Sequence, residues 1–305
     1  MTSPTGGARE VVVTVPATSA NLGPGFDALG LALSLRDEVR VRVEDTSSPA
    51  VTVHVDGAGT DTVPRDASHL VVRAMLATYD SLGVDRPHLT MWCTNRIPHG
   101  RGLGSSAAAA VAGIVAARAL SGAELDEDAL LALAARIEGH PDNAAAALLG
   151  GLTIAWTEGA AAHAVRLDPA PQVRAVVFVP AAVLATEAAR GMLPAVVPHG
   201  DAAHSAGRAA LLVAAMTSRP DLLLAATEDR LHQAYRADAM PQSAELVSRL
   251  RGAGVAAVVS GAGPSVLALT TAAGPGIGAV GAPAGWVVLD LEVESQGARV
   301  THPRA

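Results

Sequence analysis

Four short stretches of this sequence hold the side chains and backbone types that chemistry needs. The strongest is Pro98-His99-Gly100-Arg101-Gly102-Leu103-Gly104-Ser105-Ser106, which runs straight into an alanine-rich segment. Three glycines let a backbone approach an anion closely and adopt positive φ. The two serines then open a helix, whose free N–H groups and dipole favour phosphate. The Gly-Lys-Ser/Thr ending of a Walker A loop is missing. The plainer alternative is a glycine-rich turn with a serine cap.

The second stretch, Glu138-Gly139-His140-Pro141-Asp142-Asn143, gathers two carboxylates, an imidazole and an amide. That density suits metal or hydroxyl recognition, with a polar turn between two helices as the competing reading. In the third, residues 16–30 (PATSANLGPGFDALG), a strand empties into a loop that holds Asn21 and Asp27. Glycine and proline fix the path between them, so an amide and a carboxylate can face a cleft; alternatively Asp27 caps an Ω-loop. The fourth, Val259-Ser260-Gly261-Ala262-Gly263-Pro264-Ser265-Val266, is either a tight hairpin or a second glycine-rich loop that meets the first across a cleft.

The elements that must position these stretches follow from periodicity. Strands are predicted at 11–15, 31–43 (with Arg36, Asp37 and Glu38 near a turn or edge), 51–55, 88–94, 150–156, 174–179, 256–260, 265–269 and 285–292. Helical spacing marks 68–82 with Ser68 as N-cap, 105–120, 126–137, 201–216, 220–231 and 242–253. A proline-rich stretch at 167–172 divides the chain into domains 1–166 and 167–305. Mixed strands and helices with hairpin-length connections indicate an α+β class.

Composition narrows the function. Of 305 residues half are hydrophobic but only 2% are aromatic, so aliphatic side chains fill the core and no stacking platform for single-stranded nucleic acid can be built. A formal net charge of −7 argues against nucleic-acid or membrane-surface partners. Cys93 is the lone cysteine, which excludes an internal disulfide and a multi-cysteine zinc site. The first ten residues lack the apolar core of a signal peptide, and no apolar run is long enough to span a bilayer. A cytoplasmic location is expected.

In this order and spacing the four stretches resemble the GHMP family of small-molecule kinases, over residues 11 to about 269. PATSANLGPGFDALGLAL with HPDN and SGAGPSVLAL is similar to the branch that phosphorylates L-homoserine. The resemblance implies two α+β domains. The N-terminal one is like the second domain of a small-ribosomal-subunit protein and the C-terminal one is ferredoxin-like, with the site between them. It implies that residues 98–106 wrap the ATP phosphates, that Gly261, Gly263 and Ser265 help close the cleft, and that Ser106 and Glu138 meet Mg²⁺. For the acceptor it implies Asn21 and Asp27 on the ammonium, Arg190 and Arg236 on the carboxylate, and His140 and Asn143 in contact with the substrate, Asn143 close to the hydroxyl. Arginine suits a carboxylate because its planar fork bonds both oxygens. Asn143 is expected to orient the hydroxyl, and Asp142 is the alternative as a base. Relatives of this type are commonly homodimers, though no stretch here identifies an interface.

After HPDN the family commonly has Val-Ala-Pro, where this chain has Ala144-Ala145-Ala146, a change expected to loosen that helix start with little effect on function. The competing readings are another kinase of the family, acting on mevalonate, a sugar or shikimate, and a catalytically silent nucleotide-binding regulator. The first would have no ammonium to bind and no reason to keep Asn21, Asp27, Arg190 and Arg236. The second would be expected to lose Ser106, Glu138 or Asn143.

Overall fold

The computed structural model describes residues 9–303 except 46, 49, 273, 275–276 and 278–279. Most of the first ten residues, read above as lacking a signal-peptide core, lie outside the described residues.

The chain opens with two long antiparallel strands, β1 (Glu10–Ala20) and β2 (Leu29–Glu44), followed by β3 (Val51–Gly57). Helix α1 (Leu70–Leu82) leads to β4 (His88–Asn95) and to three helices, α2 (Ser105–Ser121), α3 (Glu127–Glu138) and α4 (Asp142–Leu149). The hairpin β5 (Leu152–Glu158) and β6 (Ala161–Leu167) completes this half. After β7 (Arg174–Val179) come α5 (Thr186–Gly191), α6 (His199–Thr217), the short α7 (Leu223–Ala226) and α8 (Gln233–Arg236), and α9 (Pro241–Gly252). The last strands are β8 (Ala256–Val259), β9 (Val266–Thr270), β10 (Val287–Leu291) and β11 (Arg299–Thr301).

Two sheets result. The first runs β11-β1-β2-β4-β3, and β5 and β6 extend it from the N-terminal end of β2, where Leu29 to Leu31 pair with Ile154 to Leu152. β3 and β4 run parallel in it, and the other pairings among the described residues are antiparallel. The second sheet is antiparallel in the order β10-β7-β9-β8. The α+β class and two-lobed architecture expected from the sequence are what the chain adopts. β11 crosses back to pair with β1, so residues 299–301 belong to the first sheet although they follow the second in sequence.

Helix α2 is buried nearly all round, which its alanines permit: Ala107, Ala108, Ala110, Ala112, Ala116 and Ala117 are all at most 1% exposed. This central helix puts its N-terminus where β1 ends and α4 begins. Among the described residues no helix is long and apolar enough to cross a membrane.

Several local expectations need correction. β2 does not turn at residues 36–38 but passes through them, opposite a register shift between Pro16 and Ala17. Asp37 faces inward there, where its carboxylate accepts the N–H groups of Arg96 and Ile97 at 2.6 and 2.8 Å. The α1 cap is His69, whose Nδ1 accepts from Val71 N; Ser68 instead bonds Asp66. The helix read over 220–231 breaks after Ala226, because Thr227 Oγ1 turns back to Leu223 O and Asp229 takes the N–H groups of Leu231, His232 and Gln233. The alanines after Asn143 do not loosen α4: Ala145 N–H bonds Pro141 O at 2.7 Å and Ala144 to Ala147 are fully buried.

Candidate active site

β1 delivers the chain into a loop with unusual backbone. Asn21, Leu22, Gly23 and Asp27 have φ of 68, 50, 84 and 55°. The Asn21 amide is 4% exposed and holds this turn: its Nδ2 donates to Gly261 O at 2.9 Å and its Oδ1 accepts from Asp27 N at 3.0 Å. It thereby ties the loop to the second glycine-rich stretch and leaves the Asp27 carboxylate facing a cavity.

The two glycine-rich stretches meet, as the sequence anticipates. Ser260 Oγ donates to Gly102 O at 2.6 Å and lies 2.8 Å from Ser19 Oγ. Gly104, at φ 67°, is the N-cap of α2. A Cβ there would overlap Thr18 Oγ1 and lie 3.1 Å from Asn143 Oδ1, so only glycine lets β1, the loop and α4 approach this closely. At the first turn of α2, Ser106 Oγ donates to Glu138 Oε1 at 2.6 Å. Burial raises the Glu138 carboxyl above the usual carboxylate range, partly opposed by that hydrogen bond.

On the next turn His140 Nδ1 lies 2.7 Å from Asp142 Oδ1, which also accepts Asn143 N at 2.7 Å. The hydrogen bond to Asp142 raises the His140 pKa. Asp142 is 2% exposed, so its carboxylate is committed to these neighbours. Thr18 Oγ1 donates to Asn143 Oδ1 at 2.7 Å.

The two arginines come from the second half of the chain. Arg190, on α5, makes a two-pronged pair with Asp27, NH1 to Oδ2 at 2.9 Å and NH2 to Oδ1 at 2.7 Å. Arg236, on α8, is 2% exposed; its Nε donates to Ala189 O and its NH1 to His232 Nδ1, both at 3.1 Å. With Nδ1 accepting, the His232 proton sits on Nε2 and is donated to Gly23 O at 2.9 Å. Burial lowers the His232 pKa and keeps the ring neutral. Both guanidiniums lie against the ring of Phe26, 5.7 and 5.4 Å from its centroid.

A cavity of about 290 Å³ brings together most of the residues singled out in the sequence: Asn21, Asp27, Gly100, Gly102, Gly104, Ser105, Ser106, Glu138, His140, Asp142, Asn143, Arg190, Arg236 and Gly261. Others lie elsewhere. Arg101 points away, donating to the carbonyls of Pro180, Ala181 and His99, and Leu103 is 1% exposed in the core. Pro98, Gly263 and the fully buried Ser265 do not line the cavity. His99 lines a second, mostly apolar cavity of about 280 Å³ that shares Ser105 and Ser106 with the first.

Two family models match, "GHMP kinases N terminal domain" over residues 69–151 and "GHMP kinases C terminal" over 204–277. The homoserine kinase of Streptomyces avermitilis is 56% identical over 98% of both chains, and that of Streptomyces coelicolor is 56% identical over 98% of this chain and 97% of its own. The chain belongs to the homoserine kinase family of GHMP kinases. A solved homoserine kinase from Cytophaga hutchinsonii superimposes with a TM-score of 0.84 at 28% identity, covering 96% of this chain and 98% of that one. The L. major mevalonate kinase in complex with R-mevalonate, 17% identical with a TM-score of 0.68, shares the fold over 97% of this chain. Like its homoserine kinase relatives, the chain is an ATP-using kinase.

Two donors here would fit a divalent cation beside nucleotide phosphates. Ser106 Oγ and Glu138 Oε1 form an adjacent hydroxyl–carboxylate pair, the hard oxygen set that Mg²⁺ prefers when phosphates and water supply the rest. Among the described residues no group of three or more His, Cys, Asp or Glu would hold a metal without such help.

Sequence reasoning missed Thr18, Phe26 and His232 as parts of the site. Phe26 and His232 gave a faint signal: one is among only two phenylalanines, and the other sits four residues before Arg236, one helical turn away. Thr18 lay inside a recognised motif with no charge to mark it.

Proposed function

We propose that this chain transfers the γ-phosphate of ATP to the side-chain hydroxyl of L-homoserine, giving O-phospho-L-homoserine for threonine biosynthesis in the cytoplasm. The observation that carries this reading is the pair of opposite charges, Asp27 and Arg190, in one cavity with the phosphate loop. A zwitterion offers an ammonium to Asp27 and a carboxylate to Arg190, and Arg236 stands behind as a second cation. Mevalonate, galactose and shikimate carry no ammonium to take the place of Arg190 at Asp27, so an anionic acceptor that drew Arg190 away would leave that carboxylate without a partner.

The nucleotide phosphates lie on the N-terminus of α2, against Ser105, Ser106 and the N–H groups of residues 100–106. The neighbouring apolar cavity, with Val39, Val63 and Leu70 in its wall, suits the base. Ser106 and Glu138 would hold Mg²⁺, which when bound neutralises charge on the phosphates. With the γ-phosphate in line, the hydroxyl oxygen forms the new O–P bond as the bond to ADP breaks, ADP keeping the electron pair. Asn143 orients the hydroxyl, and its proton leaves late to a transferred phosphoryl oxygen. Asp142 remains the alternative base, disfavoured by the bonds its Oδ1 already accepts. In this reading residues 1–166 supply the phosphate loop and the hydroxyl side, while 167–305 supply both arginines and the second glycine-rich loop.

The test is ADP release from Mg·ATP with a panel of L-homoserine, L-threonine, L-serine, mevalonate, galactose and shikimate. Turnover with L-homoserine far above the rest is expected. Preference for mevalonate or galactose would overturn the acceptor assignment, and ATP binding with no turnover on any acceptor would favour a silent regulator.

A further inference from the structure

We infer that Thr18 is a positioning residue for the transfer, locking the Asn143 side-chain amide so that its NH₂ edge, not its oxygen, faces the acceptor hydroxyl. The inference rests on the homoserine kinase reading above. Thr18 is fully buried, and its hydroxyl donates to Asn143 Oδ1 at 2.7 Å. Its own backbone N–H bonds Leu103 O at 3.0 Å, fixing it to the phosphate loop. On the other side of the amide, Asn143 Nδ2 lies 3.4 Å from Asp142 Oδ1. Turning the amide over would set its oxygen against that carboxylate, two acceptors with no proton between them. The Asp142 carboxylate only accepts, so it selects this orientation, and the Thr18 hydroxyl then holds the amide oxygen in place. Gly104 packs against the same pair, so the lock, the phosphate loop and α4 share one point.

The consequence is chemical. With Oδ1 occupied, Asn143 presents an N–H to a lone pair of the substrate hydroxyl and holds the oxygen without taking its proton. Thr18→Val keeps the shape and removes only the donor. It leaves the half-buried Asn143 oxygen unsatisfied and the amide held only by the 3.4 Å contact to Asp142, so kcat falls roughly ten- to hundred-fold. KM for ATP stays within about three-fold of wild type, and Thr18→Ser, which restores the hydroxyl, recovers most of the loss.

The experiment is steady-state kinetics with Mg·ATP and L-homoserine on wild type, Thr18→Val, Thr18→Ser, Asn143→Ala and the Thr18→Val/Asn143→Ala double variant; Thr18→Ala replaces the valine if that variant does not fold. Without the Asn143 amide the valine should cost less than about two-fold further. A Thr18→Val enzyme with wild-type kcat, an equal loss in both Asn143 backgrounds, or a serine variant as slow as the valine one would overturn the inference. A wild-type protein inert toward L-homoserine would overturn the functional reading and this inference with it, whereas wild-type turnover with an unaffected Thr18→Val enzyme overturns this inference alone.

Discussion

The contact between the two glycine-rich loops should be intolerant of a single methyl group at Gly102. Its φ is 71°, and a Cβ there would overlap Ser260 O and lie 2.9 Å from Gly263 O and 3.0 Å from Gly263 N. All three neighbours are backbone, so none can swing aside, and the loops must part by on the order of 1 Å to regain ordinary contact. A misplacement of about 1 Å in a positioning element costs roughly 10²-fold in rate. The left-handed backbone adds about 1–2 kcal/mol of strain. Gly83→Ala separates the two effects, because Gly83 has φ 65° with nothing within 4 Å of a Cβ. Both variants should melt a few degrees lower, but only Gly102→Ala should lose kcat/KM for Mg·ATP, by about two orders of magnitude. The assay is ADP release at saturating acceptor alongside thermal melting. Equal activity in the two alanine variants would refute the claim that this loop contact sets the phosphate geometry.

Three further perturbations bear on the site and its surroundings. Glu138→Gln should lower kcat and weaken the Mg²⁺ titration; because burial raises the Glu138 carboxyl, the wild-type Mg²⁺ requirement should climb as pH falls from above the usual carboxylate range, and an unchanged metal titration in the variant would remove Glu138 from the site. Arg236→Ala should raise the KM for L-homoserine by about 30-fold or more with little change for ATP, whereas an equal rise in both would count against its carboxylate role. Asp37 is pushed up to about 6 by burial, against the two backbone N–H bonds it accepts. Its folded pKa exceeds its unfolded value, so the protonated form favours folding and stability declines as pH rises from about 4 through about 6. Asp37→Asn can keep both backbone bonds and should flatten that slope, with a gain of at most about 3 kcal/mol at pH 7; urea unfolding at pH 5 and pH 7.5 with parallel slopes in wild type and variant would contradict this.

What was legible in the sequence was chemistry carried by neighbouring residues. Ser105 and Ser106 open α2 whatever the rest of the chain does, and Glu138 to Asn143 stay together because a turn between two helices keeps them together. The loop-to-loop contact was legible because both stretches are glycine-rich where a close approach requires it. Roles set by tertiary contact were harder to read. Arg101 looks like a phosphate ligand but is drawn to the carbonyls that follow β7, and Asn21 looks like a substrate amide while its two ends staple loops. Strand β6 was missed because its sequence, AAHAVRL, is alanine-rich and mostly half-buried, without a clear alternation of apolar and polar residues. Strand β11 is three residues long and exists only through its pairing with β1. The break after Ala226 depends on the Thr227 and Asp229 side chains capping locally, which helical spacing alone cannot reveal.

The most direct test of the central claim compares three acceptors with wild-type protein and Mg·ATP, following the transferred phosphate by ³¹P NMR: L-homoserine, 4-hydroxybutyrate without the ammonium, and 3-aminopropan-1-ol without the carboxylate. If Asp27 and the two arginines read a zwitterion, L-homoserine is phosphorylated on its hydroxyl and each single-charge analogue falls by about 10²-fold or more in kcat/KM; turnover of either analogue within ten-fold of L-homoserine would contradict the account.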